Sequence, residues 1–160
     1  MDFVPGVSAT AVKNVSLAEE HLHDQYAAFP IVPHSLIIEG MAQTGGILVG
    51  HARDFSEKVI LAKIGRATFH RLSRPGDTLR FAAKIEKLSE HGASVQGEVR
   101  CISEGHTVDG QPALVAEIEL MFSHIDKNLA GAAFPEHNFV FTEQFTELLK
   151  TYKLNAGIGI

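Results

Sequence analysis

Residues 35–52, SLIIEGMAQTGGILVGHA, decide how the rest of the chain is read. Their length and their Leu, Met, Ala and Gln content favour a helix, and Pro33 and Ser35 supply its N-terminus. Leu36, Ile37, Ile38, Met41, Ala42, Ile47, Leu48 and Val49 cover nearly the whole helical circumference. A helix that is apolar all round is expected to be buried. Gly40, Gly45, Gly46 and Gly50 each cost about 1 kcal/mol of helix propensity against alanine. That cost makes sense where a sheet or a second helix comes close to the backbone. The sequence therefore predicts an internal helix.

Upstream, Ala9 to Leu17 is short and rich in Val and Ala, and it reads as a strand. Glu19, Glu20, His21, His23 and Asp24 make a polar surface stretch. Phe29 to Pro33 is bracketed by prolines, which disfavour helix at the residues before them. Downstream the pattern changes to alternation with β-branched residues over Lys58 to His70, Thr78 to Ser89, Ala93 to Ser103 and Ala113 to His124. Arg74-Pro75-Gly76-Asp77 is a turn in which Pro pre-sets one backbone angle and Gly allows the next. His91-Gly92 and Glu104 to Pro112 make the other two turns. An α+β domain follows, one long helix wrapped on one face by an antiparallel sheet. Composition shifts beyond Asp126, which divides the chain into a domain over 1–126 and an extension over 127–160. Within the extension, Thr142 to Leu154 is expected to form an amphipathic helix. Its Phe145, Leu148 and Tyr152 would dock over the sheet or a dimer seam, and the final NAGIGI would fray.

The chain has 160 residues, 45% hydrophobic, 21% charged and 8% aromatic, which suits one core. Net charge is −5 and the 14 Lys and Arg are scattered, so nucleic acid is not an expected partner. Glu39 and Gln43 interrupt the longest apolar run, short of the roughly 18 residues a spanning helix needs. MDFVPGVSAT lacks the features of a signal peptide, and a cytoplasmic protein with no membrane partner is expected. A single cysteine, Cys101, excludes an internal disulfide and a cysteine-rich zinc site.

Glu39 is the residue that stands out. A carboxylate among Leu, Ile and Met pays desolvation, which would raise its pKa toward the range useful for proton transfer. Gln43, one turn on, would orient it, and the amides at the helix start would polarise a carbonyl. That combination suits proton abstraction α to a thioester, or attack of water on it. Pairing with a basic residue, or exposure at a subunit edge, explains Glu39 equally well on spacing alone. His34 adjoins the helix start and either reaches what Glu39 reaches or serves as a surface or capping histidine. His21 and His23 have chelate spacing but no third ligand, so no metal is expected. Ser35 lacks the partners of a nucleophile. Cys101 reads as a small core residue.

The stretch AVKNVSLAEEHLHDQYAAFPIVPHSLIIEGMAQTGGIL, residues 11–48, resembles the catalytic half of the β-hydroxyacyl-acyl-carrier-protein dehydratases. These proteins have the hot-dog fold, an antiparallel sheet wrapped around one long central helix. LAKIGRATFHRLSRPGDTLRFAAKIEKL, residues 61–88, is similar to that family's central strands and Pro-Gly-Asp turn. IIEGMAQ and RPGD recur in family order, and the resemblance covers about residues 9 to 125.

The resemblance implies dehydration of a 3-hydroxyacyl thioester, carried by acyl carrier protein or coenzyme A, in fatty acid or related acyl metabolism. The family uses a glutamate and a histidine from opposite subunits of a dimer, so a homodimer or a trimer of dimers is implied, with no cofactor. The glutamate falls on Glu39. The family's His-Phe-Pro-Gly-His-Pro motif aligns with Gln25-Tyr26-Ala27-Ala28-Phe29-Pro30, and this reading puts Phe29 in place of the catalytic histidine. His34 replaces the glycine of the usual Pro-Gly pair. The expected site thus has Glu39 and His34 as catalytic groups, with Phe29, Pro33, Ser35, Leu36 and Gln43 around the substrate. An acidic carrier protein would meet Lys63, Arg66, Arg71 and Arg74, unless these serve only solubility. Two other readings stay open: a hot-dog thioesterase using Glu39, and a silent acyl-binding subunit that needs a histidine-bearing partner.

Overall fold

The computed structural model describes residues 2–24, 28–125, 128–129, 132–133 and 135–156. In chain order the elements are β1 (Phe3–Val4), β2 (Ser8–Asn14), α1 (His21–Asp24), α2 (His34–His51), β3 (Lys58–Phe69), β4 (Thr78–Leu88), β5 (Gly92–Cys101), β6 (Thr107–Val108), β7 (Gln111–Ile125), β8 (Asn128–Leu129), β9 (Ala132–Ala133) and α3 (Glu143–Ala156). The five long strands and α2 lie where the alternation and the apolar run predict them. This is the α+β hot-dog arrangement, a seven-stranded sheet in the order β1-β2-β4-β5-β7-β3 with β6 added against β7. Every pairing in it is antiparallel.

Alternation decides which side of each strand meets the helix. On β5, Ala93, Val95, Val99 and Cys101 are buried while Gln96 is exposed. On the flanking strands Leu79, Phe81, Ile118, Leu120 and Phe122 face the same core. From α2, Ile37, Met41, Leu48 and Val49 meet them with no exposed surface. Burial of each such side chain is worth about 1.5–3 kcal/mol.

The close approach expected from the helix glycines is present. A Cβ on Gly40 would stand 2.9 Å from the Phe81 ring. The relation is reciprocal, because a Cβ on Gly97 of β5 would overlap the Met41 thioether.

The helix is not internal on all sides, however. Ser35, Leu36, Glu39 and Gln43 are exposed, and Ile38 and Ile47 are only partly covered. One curled sheet reaches only part of a helix's circumference, so apolar residues beyond that arc stay uncovered. The helix start also differs from expectation. Pro33 is the N-cap and Ser35 lies inside the first turn. The Pro33 carbonyl accepts from the N–H groups of Leu36 and Ile37 at 3.0 and 3.3 Å.

The Arg74–Asp77 turn closes as predicted, with the Asp77 N–H donating to the Arg74 carbonyl at 3.0 Å and Gly76 at φ 93°. In the polar stretch near residue 20, α1 buries Leu22 and leaves His21 and His23 toward the surface.

Residues 126 and 127, where the sequence reading divides the chain, lie outside the described residues. Beyond them α3 is capped by Thr142, whose Oγ1 accepts from the Phe145 N–H at 3.3 Å. Phe145 packs edge-on to Phe55 and beside Phe141, with ring centroids at 5.6 and 5.5 Å. Leu148, expected to dock, is 72% exposed. The Tyr152 side chain lies outside the described residues, as do residues 157–160. Asn155 and Ala156, expected to fray, are helical. Among the described residues no helix is long and apolar enough to cross a membrane.

Candidate active site

Glu39 sits at the second turn of α2, and of the two surroundings its spacing allows, an apolar one and an exposed one, the fold gives it the second. It is exposed, and so are Ser35 one turn before it and Gln43 one turn after. Residues four apart drift only about 40° around a helix, so these three form one stripe. That stripe lies outside the arc the sheet covers. Gln43 Nε2 donates to Glu39 Oε1 at 3.0 Å, which is the orienting contact the spacing predicts.

Gln43 also lines an apolar groove of about 760 Å³ between α2, β2 and α3. Gly40, Ile47 and Phe81 line it from the core side, and Phe145 and Leu149 from the extension. Sequence reasoning missed Phe81 and Ile47 as groove residues, since each looks like ordinary core.

His34 opens α2 and stacks on Phe69 of β3, rings 3.8 Å apart and 3° from parallel. Glu39 lies five positions further on, which at about 100° per residue puts the two roughly 140° apart around the helix. Within one chain, then, the fold joins Glu39 to Gln43 and His34 to Phe69. Pro33 is partly buried and ends the extended segment that leads into α2, while Leu36 is 38% exposed beside the Glu39 stripe. That segment is tied down by Val32, whose N–H donates to the Ser73 carbonyl at 2.9 Å.

Phe29 is 44% exposed, and the Arg74 guanidinium lies over its ring at 4.2 Å from the centroid. The His-Phe-Pro-Gly-His-Pro motif carries two histidines. On the alignment that the resemblance implies, its second falls on Phe29 and its first on Gln25, which lies outside the described residues. Neither position holds an imidazole.

Of the four basic residues considered for carrier docking, Arg66 is engaged by Glu119 at 2.6 Å and Arg71 by Asp77 at 3.5 Å. Lys63 and Arg66 lie on β3, at the sheet edge. Arg71 and Arg74 lie in the loop before β4, with Arg74 over Phe29.

Comparison with known proteins places these features. The FabA-like domain family matches residues 4–115. A 3-hydroxyacyl-[acyl-carrier-protein] dehydratase FabZ of Solibacter usitatus is 39% identical over 127 residues, which is 78% of this chain and 73% of that relative. The FabZ of Ligilactobacillus salivarius is 33% identical over 121 residues, 75% of this chain and 81% of that protein. Among solved structures, an acyl-CoA hydrolase from Staphylococcus aureus, in complex with butyryl coenzyme A, superposes with a TM-score of 0.58 at 15% identity. That match covers 94% of this chain and 90% of the other. At that identity the likeness is one of fold.

Proposed function

Because this chain belongs to the FabA-like family of 3-hydroxyacyl-[acyl-carrier-protein] dehydratases, we propose that it removes water from a 3-hydroxyacyl thioester, with Glu39 moving the proton. The observation that carries this reading is the Glu39–Gln43 hydrogen bond, which holds an exposed carboxylate at the edge of an apolar groove. Gln43 occupies Oε1, so Oε2 is the oxygen that takes the α-proton. The electrons of that C–H bond form the double bond as the β-carbon–oxygen bond breaks. The proton then passes from Glu39 to the departing hydroxyl, water leaves, and the carboxylate is restored.

No side chain caps α2, and its first-turn amides polarise the thioester carbonyl as negative charge develops there. The thioester itself acidifies the α-carbon, so no cofactor takes part. One positioned acid or base is typically worth about 10²–10⁴-fold. A chain lacking the motif's histidines is therefore expected to turn over more slowly than its relatives by a factor of that order.

A second copy of the chain would meet the uncovered stripe of α2 and the edge strand β3, whose Leu61 and Ile64 are 37% and 44% exposed. The Arg71–Arg74 loop is the surface we assign to an acidic carrier protein.

The test is incubation of the purified protein with 3-hydroxyacyl thioesters of several chain lengths, followed by mass spectrometry. Loss of water that disappears in Glu39→Gln, with folding retained, supports the reading. Release of free thiol would instead identify a thioesterase. Intact substrate at every length would leave a silent subunit that needs a histidine-bearing partner.

A further inference from the structure

Away from the Glu39 stripe, three side chains of different chemistry converge where β4 begins. Asp77 comes from the turn before β4, Cys101 is the last residue of β5, and His106 stands in the loop that follows. One donor atom from each lies within 4.8 Å of the other two. Cys101 Sγ is 3.6 Å from His106 Nδ1, and the same Nδ1 is 3.6 Å from Asp77 Oδ1. Asp77 is 4% exposed and Cys101 0%.

Hydrogen bonding accounts for only half of this arrangement. When Nδ1 is unprotonated it accepts from the Cys101 thiol, and the Asp77 carboxylate, itself only an acceptor, then receives nothing from it; when Nδ1 is protonated the thiol loses its acceptor. At 3.6 Å the nitrogen–oxygen separation is also too long for a hydrogen bond. A cation between the three satisfies all of them. With metal–sulfur, –nitrogen and –oxygen bonds of about 2.3, 2.0–2.1 and 2.0–2.2 Å, a tetrahedral zinc site has ligand-to-ligand edges of roughly 3.3–3.8 Å. The two separations to His106 Nδ1, 3.6 Å each, fall in that range, and the third, from Cys101 Sγ to the Asp77 carboxylate, is within 4.8 Å and would close to it as the ligands draw in on the ion.

The donors are held in place from outside the cluster. Asp77 Oδ2 accepts the Arg74 N–H at 3.0 Å and meets Arg71 at 3.5 Å, which turns Oδ1 toward His106. Cys101 is paired on both sides in the sheet, with Leu79 and with Ala113. The His106 carbonyl accepts the Ala113 N–H at 2.9 Å and its own N–H donates to Ser103 at 3.2 Å. A cleft of about 490 Å³ opens onto Asp77 and His106, giving a path in and room for one water.

We propose that Asp77, Cys101 and His106 form a binding site for a zinc-class divalent cation, with water as the fourth ligand. Thiolate, imidazole and carboxylate together select zinc or cobalt over magnesium or calcium, which prefer all-oxygen shells. Binding takes one proton from the Cys101 thiol to solvent, uses His106 through Nδ1 with its proton on Nε2, and uses Asp77 as the carboxylate. The site does not depend on the activity assigned to Glu39.

The experiment is titration of the metal-free, reduced full-length chain with Co²⁺, read by absorption. Tetrahedral cobalt gives visible ligand-field bands, and a thiolate ligand adds a near-ultraviolet charge-transfer band. The chain has one cysteine, so that band has a single possible source. Both sets of bands should appear and be bleached by Zn²⁺. Cys101→Ser should lose the charge-transfer band, and His106→Ala, at a partly exposed position, should bind at least about tenfold more weakly while keeping its circular dichroism. A folded protein that shows no charge-transfer band in excess Co²⁺, or a His106→Ala titration that matches the parent's, would overturn the proposal.

Discussion

Replacing Gly40 by alanine sets two effects of similar size against each other. Alanine in a helix interior is favoured over glycine by about 1 kcal/mol. The added methyl, however, would lie 2.9 Å from Cε1 and Cζ of Phe81, whereas ordinary contacts between carbons are about 3.5–4.0 Å. The ring must retreat by roughly 0.6 Å or more to restore that spacing. Phe81 is 3% exposed and belongs to the central core, so apart from the side that borders the groove it has little room to give way. Overpacking of this kind costs about 1–3 kcal/mol. The net expectation is a loss of about 0–2 kcal/mol, or a fall in Tm of roughly 2–4 °C for each kcal/mol in a chain of this size. Urea unfolding followed by far-ultraviolet circular dichroism measures it. In the Gly40→Ala, Phe81→Leu double variant the clash is relieved, and the two changes should couple favourably by about 0.5 kcal/mol or more. If Gly40→Ala alone stabilises the protein by its full propensity gain, or if the two changes simply add, the argument that the sheet's approach dictates glycine there is refuted.

Three further outcomes are expected. Gln43→Leu removes the hydrogen bond that orients Glu39 from an exposed position, so turnover of a 3-hydroxyacyl thioester should fall while the unfolding midpoint moves little; unchanged turnover would count against Gln43 as a positioning residue. Phe141→Ala opens the Phe55–Phe141–Phe145 cluster and should cost about 1–2 kcal/mol, each aromatic pair being worth roughly 0.5–1.5. Limited proteolysis near α3 should speed up in that variant, and an unchanged rate would show that the cluster does not hold the extension. The Glu98 carboxyl is held below its ordinary value chiefly by its hydrogen bond from Arg100, with charge attraction adding to it. Its contribution is therefore complete above the unfolded-state pKa and is lost as pH falls through the lower folded value. The Glu98 side chain is 42% exposed and screened by solvent, so the effect is under about 1 kcal/mol. Glu98→Gln should flatten the acid side of the stability–pH curve by that amount, and a parallel curve would rule the pair out as a contributor.

The sequence by itself determined the elements. Alternation over β3, β4, β5 and β7, the proline-glycine turn before β4 and the long apolar run of α2 are local patterns set by side-chain periodicity and backbone sterics. The family, too, was legible, because IIEGMAQ and RPGD are contiguous motifs. What the sequence could not decide is which arc of α2 the sheet covers. Its apolar residues occur nearly all round the helix, so periodicity carries no direction, and the expected burial of Glu39 rested on neighbours along the chain. Only the curl of the sheet separates Ile37, Met41 and Leu48 inside from Leu36, Glu39 and Gln43 outside. The same holds for the meeting of Phe69 with His34, and of Asp77 with Cys101 and His106. These residues are far apart in sequence or separated by loops of no set geometry; the packing of α2 on β3 brings the first pair together, and the pairing of β4 with β5 brings Asp77 to Cys101.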